Sequence, residues 1–448
     1  MPPLPRTWPI HPLEIWVVVI ANALLITGMW VRHGGMDQLA APGGLFTDAG
    51  QITALLGTYL ALVGIVLMSR SPWLDQLFGS DGLVKWHKWV GFATLWLLVG
   101  HAVFTTVGYA AQARSSILDE TVSLLTTYPW VLMATVALVL LIGVSVASVR
   151  AARRRLSYET WYGIHLYAYL AIALAFLHEL AVGTDFVDDR IAQAYWVTLY
   201  VLVIVLIVVF RIGRPIQLAL RHRFRVAEVR QEAEDVVSVY ITGRNLERLP
   251  VRAGQFFQWR FLSNGGWWRA HPYSISAAPN GRYLRITVKN SGDDSWFIQH
   301  LSPGTRVIAE GPYGSFTGAR RRHARVLLIA GGIGITPLRA MLEEFPGPPG
   351  AVTVLYRASS WDHVVFRREL DAIAKSKGAT IHYLVGRRHA GNRGPGPLEA
   401  RSLARLVPDI KQRDVFVCGP DPMIETVQRN LHALRVPHTQ IHAERFAF

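Results

Sequence analysis

Six apolar runs in the first half of a 448-residue chain restrict its fold more than any other feature. They extend from Leu13 to Trp30, Ile52 to Met68, Lys85 to Gly108, Tyr128 to Val149, Trp161 to Val182 and Ala192 to Phe210. Each approaches the ~20 residues that an α-helix needs to cross a bilayer. In hydrocarbon every backbone polar group needs an internal partner, so runs of this length are expected as membrane-spanning helices. Basic residues orient them. Arg6, Arg70, Lys85, Lys88, Arg150, Arg153, Arg154, Arg155, Arg211, Arg214, Arg221, Arg223 and Arg225 fall on one side, and Arg32, Arg114 and Arg190 on the other. Both termini are therefore expected in the cytoplasm. The first run follows a Pro-rich start with only Arg6 as a basic flank, and it reads as a retained anchor. The same bias accounts for most of the net charge of +15, so no nucleic acid partner is expected.

Two of the runs carry paired histidines: His87 and His101 in KWHKWVGFATLWLLVGHAVF, and His165 and His178 in YETWYGIHLYAYLAIALAFLHEL. A polar side chain inside a membrane span is costly and usually functional. Fourteen helical residues separate His87 from His101 by about 21 Å and return them to within about 40° of one face. The second pair, thirteen apart, has nearly the same rise. Imidazoles facing across the gap would clamp two stacked metal centres, for which bis-imidazole haem is the natural candidate. Thirteen residues, however, rotate about 140° off a single face. No Gly or Pro lies between His165 and His178, so tilt or a local distortion is expected. The alternative is four core histidines hydrogen-bonded to neighbouring helices. The single cysteine, Cys418, excludes an intrachain disulfide, an iron–sulfur cluster and covalent haem attachment. Any haem is then b-type and held by histidine.

From about Phe224 the pattern changes to short alternating strands, FRVAEVRQ, DVVSVYITGR, GQFFQWRF, YLRITVKN and TRVIAEGPYG, as expected for a small antiparallel barrel. Within it stands HPYSISAAP, beginning at His271. NSGDDSWFIQHL places Gly292 and Ser295 at a helix start, where N–H groups favour an anion. A strand RVLLIA then runs into GGIGITPLRAML, whose Gly331, Gly332 and Gly334 let the backbone approach a pyrophosphate ahead of a helix starting near Pro337. Strands VTVLYRAS, IHYLVGRR and DVFVCGP, separated by helical stretches, complete a parallel α/β pattern.

HPYSIS, GPYGSF, GGIGITP, CGPDPM and a terminal ERFAF, in this order, resemble the ferredoxin–NADP reductase superfamily. Preceded by six spans with paired histidines, the whole chain resembles the ferric reductase and NADPH oxidase family in its compact bacterial form. The resemblance implies a multi-domain membrane protein of three parts. These are an all-α six-helix haem bundle over 1–215, an antiparallel β-barrel FAD domain over 216–320 and a Rossmann-like α/β NAD(P)H domain over 321–448. It implies that His271 and Pro272 contact the flavin cofactor, that Tyr273 packs on the isoalloxazine and that Ser274 hydrogen-bonds near its reactive nitrogen. Gly292 and Ser295 match the pyrophosphate turn, and Gly331, Gly332, Gly334, Thr336 and Pro337 match the nicotinamide dinucleotide's phosphate loop. Cys418, Gly419 and Pro420 line the nicotinamide side. Either Phe446 or Phe448 covers the flavin. His271 stands where many soluble relatives have arginine, and Thr105 where many animal oxidases carry a further histidine.

The chemistry implied is hydride transfer from NADPH to FAD. Single electrons then pass to an inner haem b held by His87 and His165, an outer haem b held by His101 and His178, and an acceptor beyond the membrane. Ferric chelate and molecular oxygen are the acceptors to be distinguished. A branch of the family donates instead to a periplasmic partner protein, and a non-enzymatic reading is a channel or transporter with a nucleotide-sensing domain. NADPH is expected over NADH because Arg357, Arg387 and Arg388 follow successive strands, where arginine meets a 2′-phosphate. The location implied is the bacterial inner membrane, with homo-oligomers compatible.

Overall fold

A computed structural model describes residues 12–183, 189–263, 268–386 and 396–445. The chain divides into two compact units, with the break after Arg211. In the first unit the six apolar runs are six helices long and apolar enough to cross a membrane. They are α1 (Pro12–Arg32), α2 (Gly44–Leu67), α4 (Ser80–Ala113), α6 (Val131–Ser148), α7 (Tyr158–Val182) and α8 (Arg190–Ile207). A short helix α3 (Pro72–Phe78) precedes α4. Polar caps mark the starts of the later helices. The Ser157 hydroxyl accepts from the Thr160 N–H at α7, and the Asp189 carboxylate from the N–H groups of Ile191 and Ala192 at α8.

The stretch from Tyr109 to Thr127, without a motif in the sequence, contains a further helix, α5 (Ile117–Thr127). Ser116 caps it by accepting from the Asp119 N–H, and Asp119 and Glu120 in its first turn favour the positive end of the helix dipole. At eleven residues it is too short to span, so hydropathy alone does not reveal it.

The pairing of α2 with α4 rests on glycine. Gly43, Gly50, Gly57 and Gly64 recur every seventh residue, a spacing that drifts only ~20° per step around a helix. They therefore form one stripe against the antiparallel α4. A Cβ on Gly57 would lie 2.8 Å from Leu98, and one on Gly50 would lie 3.1 Å from the Thr105 backbone nitrogen. Only glycine permits this approach, and small residues are what brings helices together in lipid. Elsewhere Ile26, Tyr59 and Trp196 form a buried core into which Phe176 and Leu180 of α7 pack.

The second unit holds two sheets. The first is six-stranded and antiparallel, in the order β4-β3-β6-β1-β2-β5. Its strands are β1 (Arg225–Ala233), β2 (Val236–Thr242), β3 (Phe256–Leu262), β4 (His271–Ser274), β5 (Leu284–Lys289) and β6 (Arg306–Tyr313). Its two edges meet at the bridge between Ile275 and Ile286, so the sheet curls toward the expected barrel around Phe257, Trp259, Val239 and Ile286. The second sheet is parallel, in the order β11-β10-β7-β8-β9. It comprises β7 (Arg325–Gly331), β8 (Val352–Ala358), β9 (Thr380–Val385), β10 (Arg413–Gly419) and β11 (Ile441–Arg445). Three of its helices matter below: α9 (Ile335–Glu344), α10 (Arg367–Lys377) and α11 (Asp421–Ala433).

A buried ion-pair network joins the two sheets' lobes. Arg285 of β5, its side chain 2 % exposed, donates to both oxygens of Glu369 on α10, at 2.9 and 3.1 Å. Arg339 of α9 donates to the same carboxylate at 2.9 Å and also pairs with Glu343. Burial works to raise the Glu369 carboxyl, but hydrogen bonds and charge from Arg285 and Arg339 outweigh it and hold it below the usual glutamate range. A folded value below the unfolded one means that the stabilisation is present above about pH 4.3 and is lost as pH falls through the folded value. Glu369→Ala strands Arg285 in the interior. With the carboxylate one-third exposed, the loss is expected at about 2 kcal/mol, below the usual cost of breaking a fully buried pair. Urea unfolding of the second unit in the full-length protein should show this deficit at pH 7, and the variant and parent curves should converge on acidification.

Candidate electron-transfer and cofactor sites

The histidines of α4 are oriented by the glycine stripe. The Nδ1 of His87 lies 3.1 Å from the Gly64 carbonyl oxygen, and the Nδ1 of His101 lies 2.9 Å from that of Gly50. A carbonyl only accepts, so in each ring Nδ1 carries the proton and donates it. Nε2 is thereby left with its lone pair outward, the arrangement of a metal-ligating imidazole with its outer partner in place. Thr105 Oγ1 lies 3.2 Å from the same His101 Nδ1. Thus Thr105, one turn further along α4, sits against the ligand candidate.

The partners come from α7. His165 faces His87 with ring centroids 5.8 Å apart. The two rings meet edge to face, at 71° to one another. Trp161 stacks on His165 at 5.1 Å, and Ser148 Oγ, which accepts from Trp161 Nε1, lies 3.5 Å from His165 Nδ1. His178 shares with His101 a cavity of about 400 Å³, whose lining includes Thr58, Glu179, Trp196 and Tyr128. His178 Nδ1 is buried without a hydrogen-bond partner. The helix between His165 and His178 is continuous, so no bulge corrects the thirteen-residue rotation. Among the described residues no group of three or more His, Cys, Asp or Glu side chains could hold a metal ion. Imidazoles in twos suit a metal that brings its own equatorial ligands, as iron in a porphyrin does, and not a bare ion needing three or four protein donors.

In the antiparallel sheet, β4 pairs with β3 so that His271 stands opposite Trp259 and Ser274 opposite Phe256. His271 and Ser274 are buried, Tyr273 is half-buried and Pro272 is exposed. Trp259 Nε1 donates to the Tyr273 carbonyl at 3.0 Å, fixing the strand that carries Tyr273 and Ser274. Gly292 caps the helix Asp293–Gln299 with φ of 143°, a left-handed value that favours glycine, and the space on its Cβ side is open. Ser295 Oγ accepts from the Ser291 N–H and donates to the Gly292 carbonyl, both at 2.7 Å, so it shapes this turn.

In the parallel sheet, β7 ends in Gly331 and the chain passes through the turn Gly332–Gly334 into α9. The helix starts at Ile335, two residues earlier than the sequence suggests. A Cβ on Gly334 would collide with the Cys418 carbonyl, and one on Gly419 would come within 3.1 Å of Gly331 Cα. The fold thus brings Gly331, Gly334, Cys418, Gly419 and Pro420 together at the carboxyl ends of β7 and β10, where open α/β sheets bind ligands. Thr336 is buried and donates to the Ile333 carbonyl at 3.0 Å; Pro337 lies in the first turn of α9. The Cys418 thiol is fully buried in the core, and burial, then the charge of Glu444, push it well above its ordinary range. It is therefore a neutral packing group and not a nucleophile. Arg357 at the end of β8 donates to the carbonyls of Ala358 and Leu384 at 2.8 and 2.7 Å. Arg387, Arg388, Phe446 and Phe448 lie outside the described residues.

Three family descriptions match successive parts of the chain. The ferric reductase like transmembrane component covers residues 53–176, an FAD-binding domain covers 221–317 and an oxidoreductase NAD-binding domain covers 328–429. The chain belongs to the ferric reductase/NADPH oxidase-like family. It is a multi-pass membrane protein with FAD- and NAD(P)H-binding domains. Its dehydrogenase half is 32 % identical over 188 residues to ferredoxin–NADP reductase B of Sorangium cellulosum, covering 39 % of this chain and 77 % of that one. It is 31 % identical to the ferredoxin reductase component of 3-ketosteroid-9-alpha-monooxygenase of Mycobacterium tuberculosis, over 50 % of this chain and 64 % of that one. It is 27 % identical to a flavohemoprotein of Oceanobacillus iheyensis, over 50 % and 58 %. The chain thus spans less than two thirds of the first curated relatives it matches. The FAD/NAD-binding domain of nitric oxide dioxygenase from Vibrio cholerae is similar at 25 % identity, covering 50 % of this chain and 99 % of that one, with a TM-score of 0.41.

The glycines of α2, absent from the sequence-based site, are the functional positions that residue-type reasoning misses. Their seven-residue spacing was the available signal. Gly50→Val is expected to push α4 away and separate His101 from its carbonyl acceptor. For the haem proposed below, it should reduce occupancy at the His101 level several-fold while leaving FAD binding unchanged, as the haem-to-flavin absorbance ratio of purified protein would show.

Proposed function

We propose that the protein carries electrons from cytoplasmic NADPH, through FAD and two b-type haems, to an acceptor on the extracytoplasmic face, either a ferric chelate or molecular oxygen. The observation that carries this reading is the pair of imidazole couples at two depths, with the α4 rings held by backbone carbonyls so that Nε2 is presented outward. The residues fit haem: they supply two imidazoles per centre, an outer hydrogen bond on each α4 ligand, and on His178 a buried Nδ1 without a hydrogen-bond partner. When bound, the flavin accepts a hydride and releases electrons singly, and each haem carries one electron at a time.

The chain's own residues hold and orient these groups. His87 and His165 would hold the inner haem, and His101 and His178 the outer one. His271, Pro272, Tyr273 and Ser274 would contact the flavin, with Gly292 and Ser295 at its pyrophosphate. The loop of Gly331, Gly332, Gly334, Thr336 and Pro337 would take the dinucleotide phosphates, and Gly419 and Pro420 would border the nicotinamide. Cys418 would support that floor by packing. Arg357, Arg387 and Arg388 are the candidates for a 2′-phosphate, and Phe446 or Phe448 for the flavin cover. The excess of Lys and Arg on one side supports cytoplasmic termini in a bacterial inner membrane.

The test is the visible spectrum of purified protein during anaerobic reduction by NADPH with FAD, followed as air or a ferric chelate is admitted. Two reducible b-type centres are expected. Rapid reoxidation by air with superoxide formed assigns oxygen as acceptor, and rapid reoxidation by chelate with slow reaction in air assigns ferric iron. Absence of haem bands overturns the reading. His101→Ala and His178→Ala should each remove about one of the two haems, and retention of both in both variants would reject these ligands.

A further inference from the structure

One ionisable group in the membrane unit has no part in the scheme above. Glu179 follows the ligand candidate His178 on α7, and a carboxyl at this depth is costly unless it is bonded. Its bonds run to two other helices. Thr58 Oγ1 of α2 donates to Oε1 at 2.5 Å, and the Tyr200 hydroxyl of α8 donates to Oε2 at 2.9 Å. Tyr200 is itself pinned, its ring 4.0 Å from that of Phe176. Glu179 thus extends the stripe of α7, Ile172, Phe176 and Leu180, that packs on α2 and α8.

The neighbouring residue on a helix points about 100° away. Glu179, bonded to α2 and α8, stands at one side of the cavity that His178 shares with His101, and Thr58, Ala175 and Val182 line it too. This rotation needs a device. Among the described residues of α7 only Ala171 is fully buried, and the bonds of Glu179 add direction to the apolar contacts of Ile172, Phe176 and Leu180. His178 Nδ1 has no hydrogen bond of its own, unlike the rings of His87 and His101. Thirteen residues of uninterrupted helix also carry the second histidine off the face of the first. Resting on the two-centre reading above, we propose that Glu179 is the positioning residue of the outer centre. Its carboxyl, tied to Thr58 and Tyr200, sets the rotation of α7 that aims His178 at His101.

The test compares the full-length parent with Glu179→Ala, Glu179→Gln and the double variant Thr58→Val/Tyr200→Phe. The readouts are haem per FAD, electron paramagnetic resonance of each oxidised haem, and the two midpoint potentials. Glu179→Ala is expected to halve haem per FAD, or to move the outer signal and potential, with the inner centre unchanged. Glu179→Gln, which keeps a polar group in the same place, is expected to retain both centres. The double variant removes both donors while leaving the carboxyl, and it should shift the outer signal alone. It decides the matter if Glu179→Ala does not accumulate. Two haems with parental signals and potentials in both Glu179→Ala and the double variant would overturn the proposal, as would simultaneous loss of the inner centre. A parent protein without haem would instead overturn the two-centre reading itself.

Discussion

The bond from an imidazole Nδ1 to a helix carbonyl is the contact on which the membrane unit depends. A carbonyl in mid-helix is already engaged by its own ladder, and a side chain from the next helix reaches it only if the two backbones come unusually close. Glycine at 50 of α2 provides that approach opposite His101, and Gly64 offers its carbonyl to His87 with only ordinary contacts about it. The fourteen-residue spacing of the histidines is therefore matched by a fourteen-residue spacing of glycines on an antiparallel partner. Helix packing, tautomer and ligand direction become one constraint, because moving α4 outward would loosen the bundle and free both rings to turn.

The second unit meets a different demand, which is to hold two sheets in one arrangement. Apolar packing fills each lobe and also crosses between them, since Val236, Ala253 and Phe316 belong to one cluster with Val326, Met341 and Phe416. Direction between the lobes comes from the forked bonds of Arg285 to Glu369 and from Arg339 beside them. A planar guanidinium meeting a carboxylate through two parallel bonds fixes an angle as well as a distance, which a greasy contact does not. The buried charge is costly, and the specificity of the lobe arrangement is its return.

Much of this was legible in the residues, for identifiable reasons. The six spans follow from run length, the strands from alternation and the nucleotide turn from GGIGITP, since each is a local pattern that local physics reads. HPYSIS also appears as β4, where the sequence placed it. What escaped is non-local or neutral in composition. The glycine stripe means nothing until α2 is known to lie against α4. Glu179 reads as one more polar residue until Thr58 and Tyr200, 121 and 21 positions away, are seen to converge on it. The helix α5 is short and moderately polar, so only its Ser116 cap and acidic first turn announced it. Arg357, read as a phosphate contact, spends one guanidinium nitrogen on two strand-end carbonyls, a use that no single-strand pattern encodes.

The two helices that carry the histidines are held in different ways, and the difference has a consequence for assembly. On α4 both rings are fixed by a partner helix through backbone atoms that side-chain variation cannot remove. On α7 the fixing groups are side chains: Ser148 and Trp161 about His165, and a bonded neighbour in place of a bonded ring at His178. A metal centre of the kind proposed would meet one ligand already aimed by a backbone bond and one whose direction rests on side-chain contacts alone. The α2–α4 pair would then be the template against which α7 presents its histidines.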